Sequence, residues 1–169
     1  FRVFSMVDNL LIEIIRLENV QVEIFDFKSN QNITLGLTVG TVTVTDRSVV
    51  EVALVAYNEL SDDAKAELVT EKALLDSLLV EIIRLEDVQT EISTFKSTYS
   101  TTLSLTEASI TIGDKTAVLG ALSAYEDLTV DAKAGLTAEK IRLDSLSSEI
   151  VMLEAIVLEV SSYRTSNSV

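Results

Sequence analysis

The stretch EIIRLEDVQTEISTFK, from Glu81 to Lys96, determines how the whole chain is organised. It also occurs as EIIRLENVQVEIFDFK from Glu13 to Lys28, which is 68 residues earlier (13 to 81). A more divergent form, EIVMLEAIVLEV, begins at Glu149, again 68 residues further on (81 to 149). A unit that recurs at a fixed spacing indicates a tandem repeat, so we interpret both fold and function at the level of the repeat.

The composition is that of an acidic chain with enough apolar residues to fold. Hydrophobic residues make up 47% of the 169 residues and the mean hydropathy is +0.34, which indicates a folded chain. A formal net charge of −14 argues against nucleic acid and anionic membranes as partners. No apolar run reaches the ~20 residues of a spanning helix, so we predict no membrane span in this chain.

The long repeated segment has the period of a helix. Its apolar residues advance by threes and fours along one face, over about 27 residues and roughly 40 Å. We predict three copies, at 3–28, 71–97 and 139–164. The face predicts a repeat-packing core made of Leu75, Leu78, Ile82, Leu85, Ile92 and Phe95 of the second copy, and of Ile14, Leu17 and Ile24 of the first.

A shorter apolar helix is predicted between the long ones. Its row of Val50, Ala53, Tyr57 and Leu60 matches Val118, Ala121, Tyr125 and Leu128, so Tyr57 and Tyr125 join the predicted packing core. We expect Asp46 and Asp114 to cap this helix, and Ser61 and Thr129 to cap a short helix that follows it.

A Thr-rich segment with apolar residues at alternate positions follows each long helix. This alternation predicts short β segments, with an extended linker laid over the bundle as the alternative. An open strand edge could also pair with a neighbouring chain. The alternating residues are Ile33, Leu35, Leu37, Val39, Val42 and Val44 in the first copy, and Leu103, Leu105, Ile110 and Ile112 in the second.

These elements together predict a mainly α fold. It consists of tandem repeats resembling three-helix bundles, joined by long helices and with short β segments at the repeat junctions. Residues 1–30 are the long helix of a preceding partial repeat, 31–98 are repeat 1 and 99–169 are repeat 2. Because the chain starts at Phe1 and both its ends coincide with long helices, we expect a piece of a longer array or a protomer whose ends meet neighbouring copies.

Catalytic chemistry has no candidate residues in this sequence. The chain lacks His and Cys, which excludes disulfides, the usual zinc sites and His-activated nucleophiles. The carboxylate pair Glu13/Glu18 recurs as Glu81/Glu86, which is typical of solvated helix surfaces and not of a glycosidase. We therefore predict that the chain is not an enzyme and has no catalytic, cofactor-binding or metal-binding residue.

Two further sites need to be considered. Asp46 and the pair Asp62-Asp63 are oxygen ligands that would suit calcium, but they form no EF-hand-like loop and are predicted to cap helices. Calcium is therefore the only cation that we keep in consideration. Asn32-Ile33-Thr34 is a glycosylation sequon, which makes Asn32 a candidate glycosylation site.

The second copy resembles a known class of repeat. It follows the pattern I-x-D-K-x-x-V-x-x-A-x-x-A-Y-x-x-L-[ST]-x-x-x-K through Ile112, Asp114, Lys115, Val118, Ala121, Ala124, Tyr125, Leu128, Thr129 and Lys133. The first copy matches through Asp46, Arg47, Val50, Ala53, Ala56, Tyr57, Leu60, Ser61 and Lys65. These residues resemble the small helical tandem repeats of Gram-positive cell-surface proteins, which are anchored to the cell wall or associated with S-layers. The resemblance implies an extracellular stalk, spacer or lattice module.

The sequence therefore predicts a non-enzymatic structural protein of the bacterial surface. It would form a stalk, lattice or filament and assemble through apolar helix faces or strand edges, with copies of itself or adjacent repeats as partners. The alternative is an adhesin-type module that binds a cell-wall or host glycan, or a host protein. Such a module would need a groove that differs between the repeats, for example around 39–44 and 107–112.

Overall fold

The computed structural model describes the backbone of residues 2–167 and the side chains of residues 6–167. Nine α-helices account for most of this part of the chain, and two 3₁₀ turns, Val44–Asp46 and Ile112–Asp114, precede the third and seventh of them. The helices are α1 Arg2–Asn30, α2 Asn32–Leu35, α3 Arg47–Asn58, α4 Asp62–Glu67, α5 Val69–Thr98, α6 Ser100–Ser104, α7 Lys115–Glu126, α8 Val130–Gly135 and α9 Thr137–Ser166.

The same series of elements occurs twice along the chain. Helices α2 to α5 and the turn between them are followed by α6 to α9 in the same order. Corresponding helices begin 68 residues apart, as Arg47 of α3 and Lys115 of α7 illustrate. Helices α5 and α9 each span 30 residues, and neither contains the Pro or Gly residues that would interrupt a helix.

The compact units of the structure divide the chain inside a helix. The first unit ends at Glu86 and the second begins at Asp87, both within α5. The predicted repeats 31–98 and 99–169 instead begin at the end of a long helix. The two divisions differ because each compact unit combines the second half of one long helix, the connecting helices and the first half of the next.

The core of the first unit is formed where α3 packs against both long helices. Phe27 of α1 and Leu75 of α5 belong to one buried cluster with Ala53, Tyr57 and Leu68. A second cluster contains Val42, Val50, Leu78 and Ile82. The unit is thus held together by apolar contacts between residues far apart in the sequence.

The core of the second unit contains the residues found 68 positions later. Phe95 of α5 and Leu143 of α9 are buried with Ala121, Tyr125 and Leu136. The other cluster consists of Ile110, Val118, Leu146 and Ile150.

The predicted β segments are wrong. No residue from 2 to 167 forms a strand, and the first alternating segment instead consists of helix α2, a turn and the 3₁₀ turn Val44–Asp46. The second alternating segment is built in the same way from α6 and Ile112–Asp114. Because residues 2–167 contain no strand, the predicted assembly through strand edges is wrong as well.

Local hydrogen bonds and burial explain why the alternation does not produce strands. The Thr41 hydroxyl accepts a hydrogen bond from the Thr38 amide at 3.0 Å, and the Val42 amide donates to the Thr38 carbonyl at 2.9 Å. These bonds close a turn in which the backbone satisfies itself without a partner strand. The turn lets Leu37 and Val42 pack on the long helix α5.

The capping predictions have different outcomes. The hydroxyls of Ser61 and Thr129 accept from the amides of Ala64 and Ala132, which confirms them as caps of α4 and α8. The carboxylate of Asp46 makes no cap bond to α3 and instead accepts from the amide and hydroxyl of Thr43, both at 2.8 Å. These bonds hold the Asp46 pKa below its ordinary value. Asp114 does the same with Thr111, so both aspartates close the 3₁₀ turn.

Candidate assembly interface

The predicted packing residues lie in three different environments. Leu75, Leu78, Ile82, Phe95, Tyr57 and Tyr125 are buried. Leu85, Ile92 and Ile24 are half-buried. Ile14 and Leu17 are exposed.

The prediction that Ile14 and Leu17 are core residues is wrong. Both lie in the first half of α1, where no described residue of the chain covers the apolar face. Their counterparts in α5 are Ile82, which is fully buried, and Leu85, which is half-buried. The difference arises because α3 packs on the first half of α5, whereas none of the helices described between residues 2 and 167 packs in this way on the first half of α1.

The first half of α1 carries a row of exposed apolar side chains, which we call the α1 row. It consists of Val7, Leu10, Ile14 and Leu17, at helical spacing on one face. Leu10 is 62% exposed, whereas Leu78, which occupies the same repeat position in α5, is 0% exposed. Apolar neighbours such as Leu11 and Ile15 are also exposed and widen the patch. The patch is therefore a candidate interaction surface.

The second half of α9 carries the complementary exposed row, which we call the α9 row. It consists of Ile156, Val160 and Tyr163. Tyr163 is 70% exposed, whereas Phe27 and Phe95 at the same repeat position are 4% and 3% exposed. The row begins directly after Leu153, which is the last residue of this face to pack on the second unit. Sequence reasoning missed this row, although the 68-residue alignment could have placed its residues beside Phe27 and Phe95.

The ion pairs of the long helices also differ between the covered first halves of α5 and α9 and the uncovered first half of α1. Glu86 accepts a hydrogen bond from Arg47 at the start of α3, and Glu154 accepts one from Lys115 at the start of α7. Glu18 occupies the equivalent position in α1 but makes no ion pair with any described residue. The first half of α1 therefore has the same apolar row and the same carboxylate position as the first halves of α5 and α9, which are covered.

A carboxylate on the second half of each long helix holds the next short helix. The Glu23 carboxylate accepts from the Ser61 amide at 2.9 Å and from the Ser61 hydroxyl at 2.7 Å. Glu91 accepts from Thr129 in the same way, at 3.1 and 2.7 Å. Glu159 occupies the third such position, and no described residue donates to it. The Glu23–Ser61 and Glu91–Thr129 contacts were not predicted from the sequence. The signal that could have indicated them is the recurrence of Glu at positions 23, 91 and 159.

The hydrogen bonds from Ser61 lower the pKa of Glu23, first through the hydroxyl and then through the backbone amide. A carboxylate whose pKa is lowered in the folded state stabilises the fold above its unfolded pKa of about 4.3. That stabilisation is lost as the pH falls through the folded-state pKa. Acidification should therefore weaken the link between α1 and α4.

We expect Glu23→Gln to lower the midpoint of urea unfolding at pH 7, because the amide accepts weaker hydrogen bonds than the carboxylate. The deficit relative to the parent chain should shrink below about pH 4.3 and disappear once Glu23 is protonated. Circular dichroism during urea titration at pH 7 and pH 3 measures both values. Glu18→Gln on the same helix is the control, and a deficit that is equal for both variants or independent of pH would contradict the assignment.

A second link joins consecutive long helices. The Lys28 ammonium lies 2.7 Å from a Glu71 carboxylate oxygen, and Lys96 lies 2.8 Å from Glu139. In both pairs the lysine hydrogen bond is the main reason that the glutamate pKa lies below its ordinary value. The end of one long helix is therefore always tied to the start of the next.

Several carboxylates that could in principle serve catalysis or metal binding form structural contacts instead. Glu13 pairs with Arg16, and Glu81 pairs with Arg84. Asp63 bonds to Arg16, and Asp46 bonds to Thr43. No group of three or more acidic residues positioned to hold a metal ion is found among residues 2–167.

The candidate glycosylation site Asn32 is the first residue of α2. Its side chain is exposed, but the sequon residue Thr34 is buried. Attachment of a glycan to Asn32 stays a prediction.

Comparison with known proteins does not identify a family for this chain. No family model, no curated protein and no solved structure matches it. Among the described residues, no helix combines the length and apolar character needed to cross a membrane. Among the described residues, the α1 row and the α9 row are therefore the candidate functional surfaces.

Proposed function

We propose that this protein is a non-enzymatic structural module that assembles into a stalk, lattice or filament on a bacterial surface. The observation that carries the proposal is the presence of two uncovered apolar rows on half-helices whose counterparts inside the chain are covered. The setting on the cell surface is supported by the resemblance of the Tyr57 and Tyr125 segments to Gram-positive surface repeats. Copies of the same chain, or adjacent repeats, are the proposed partners.

Burial of exposed apolar area favours the association of copies. Burial of a Leu, Ile or Val side chain contributes about 1.5–3 kcal/mol relative to exposure. The α1 row has four exposed apolar side chains, and the α9 row has three, of which one is the aromatic Tyr163. Opposing this is the net charge of −14, which makes copies repel one another at low ionic strength.

We expect the full chain to associate at micromolar concentration, and to do so more strongly at 0.5 M than at 0.02 M NaCl, because salt screens the repulsion between acidic copies. Size-exclusion chromatography with light scattering measures the mass, and electron microscopy distinguishes filaments from isolated particles. A chain that stays monomeric across this range of concentration and salt would contradict the proposed function.

An adhesin-type binding module is the second candidate, and one difference between the units favours it. In the second unit the Arg142 guanidinium donates to the Leu105 carbonyl at 2.8 and 3.2 Å, and Glu107 bonds to Ser145. In the first unit the position of Arg142 is occupied by Leu74, which packs on the apolar cluster around Leu78.

An open cleft beside Arg142 is lined by Leu105, Thr106, Glu107, Ala108, Ser145 and Leu146. Saturable binding of one compound on a glycan array would favour this second function.

A further inference from the structure

We propose that the α1 row binds a turn-and-helix segment that belongs to a further repeat of the same kind. A turn-and-helix segment is the part of a repeat that comprises residues 37–58 in the first unit and residues 105–126 in the second. This inference rests on the proposed function, because it specifies an adjacent repeat as the partner at the α1 row.

Inside both units, a turn-and-helix segment covers the first half of a long helix. The buried residues are Leu78 and Ile82 with Val42 and Val50 in the first unit, and Leu146 and Ile150 with Ile110 and Val118 in the second. Neither cluster contains a described residue of the preceding long helix. The covering element is therefore the turn-and-helix segment, and not another long helix.

Helix α1 carries the same acceptor side chains as the covered helices. Leu10 corresponds to Leu78 and Leu146, Ile14 to Ile82 and Ile150, and Leu17 to Leu85 and Leu153. Leu10 and Ile14 are 62% and 43% exposed, whereas their four counterparts are at most 2% exposed. The face that receives a turn-and-helix segment in two units is thus present in α1, where no described segment covers it.

One charged contact specifies the type of segment and its register. Arg47, at the start of α3, lies 2.5 Å from the Glu86 carboxylate, and Lys115, at the start of α7, lies 2.8 Å from Glu154. Glu18 occupies the same repeat position in α1 and forms no ion pair with any described residue. An apolar row beside this carboxylate complements a segment with apolar residues and a basic residue at the start of its helix.

A second copy of this chain is not the occupant. Its own two turn-and-helix segments already cover the first halves of its α5 and α9. A segment that moved to α1 of another molecule would uncover an equivalent apolar face in its own chain, so the exchange would give no net burial. The occupant is therefore a segment of a further repeat, for which the α1 row is the missing contact.

An extended chain tests this site. Position 1 corresponds to positions 69 and 137, so a copy of residues 69–136 placed directly before residue 1 adds one repeat in register. We expect the amide hydrogens of residues 7–18 to exchange at least about 100-fold more slowly in the extended chain, because a covered helix opens less often. Mass spectrometry measures the exchange, and residues 156–163 of α9 should exchange equally in both chains as the internal control.

An exchange of charges tests the register. Glu18→Lys in the extended chain places a lysine opposite Lys115 of the added repeat, and should speed exchange of residues 7–18 by about 3- to 10-fold. Lys115→Glu in the added repeat should restore the slow exchange when it is combined with Glu18→Lys, which requires a direct contact between the two positions. In the original chain Glu18→Lys should leave the exchange of these residues unchanged.

Three results would overturn the proposed occupant. The first is equal exchange of residues 7–18 in the original and extended chains. The second is an added repeat without helical circular dichroism, because its turn-and-helix segment would then have found no site on α1. The third is slow exchange that does not respond to the exchange of charges, because the segment would then lie in a different register. The proposed function is tested separately, since it fails if the original chain does not associate.

Discussion

Replacement of Leu78 by alanine is expected to reduce the free energy of unfolding by about 2–5 kcal/mol, the range for truncation of a fully buried leucine. Leu78 is fully buried between α5 and α3, in a cluster with Val42, Val50 and Ile82. Truncation removes apolar contacts on both elements and leaves a cavity that the packed helices fill only in part. Chemical denaturation followed by circular dichroism, at a protein concentration below association, measures the loss.

The chain supplies its own control for this substitution. Leu10 is the same residue type at the same repeat position, but it is largely exposed in α1. Leu10→Ala should therefore change the free energy of unfolding of the monomer by no more than about 0.5 kcal/mol. Equal losses for the two variants would contradict the assignment of the first half of α1 as uncovered, because helix propensity alone treats both positions alike.

Phe27→Ala is the second large effect, with an expected loss of about 3–5 kcal/mol. The Phe27 ring is 4% exposed and meets the Tyr57 ring edge to face, with ring centroids 6.0 Å apart. Removal of this ring opens a cavity where α1 contacts α3. The loss should be visible in urea unfolding, and in weaker near-ultraviolet circular dichroism from Tyr57.

Phe25 is the matched control for Phe27. It lies two residues earlier on the same helix and is 70% exposed. Phe25→Ala should cost no more than about 0.5 kcal/mol. A loss of several kcal/mol for Phe25→Ala would contradict this assignment, because it would mean that the face of α1 that contains Phe25 packs in the core.

The helices of this protein were predictable because their signals are local. The row from Leu75 to Phe95 has a helical period of its own, and Ser61 and Thr129 can cap a helix through bonds that reach only three residues. The alternation from Ile33 to Val44 is equally local but misleading. There the Thr38–Thr41 turn and the burial of Val42 on α5 outweigh β propensity, which depends on partner strands that this chain lacks from 2 to 167.

The candidate interface could be predicted only in part. The sequence identifies Leu10, Leu78 and Leu146 as equivalent, because they are 68 residues apart on the same helix face. It does not reveal that Leu10 is exposed while the other two are buried. The contact between Glu23 and Ser61, 38 residues apart, is likewise invisible in local patterns.

By itself the sequence determined the helical period, the 68-residue recurrence and the caps formed by Ser61 and Thr129, since each of these depends on residues within a few turns of one another or on direct comparison of the copies. Only the tertiary structure decided which half of each long helix is covered. Burial depends on whether a helix such as α3 packs against that half, and this is a property of distant segments in space. The α1 row and the α9 row are open for that reason alone.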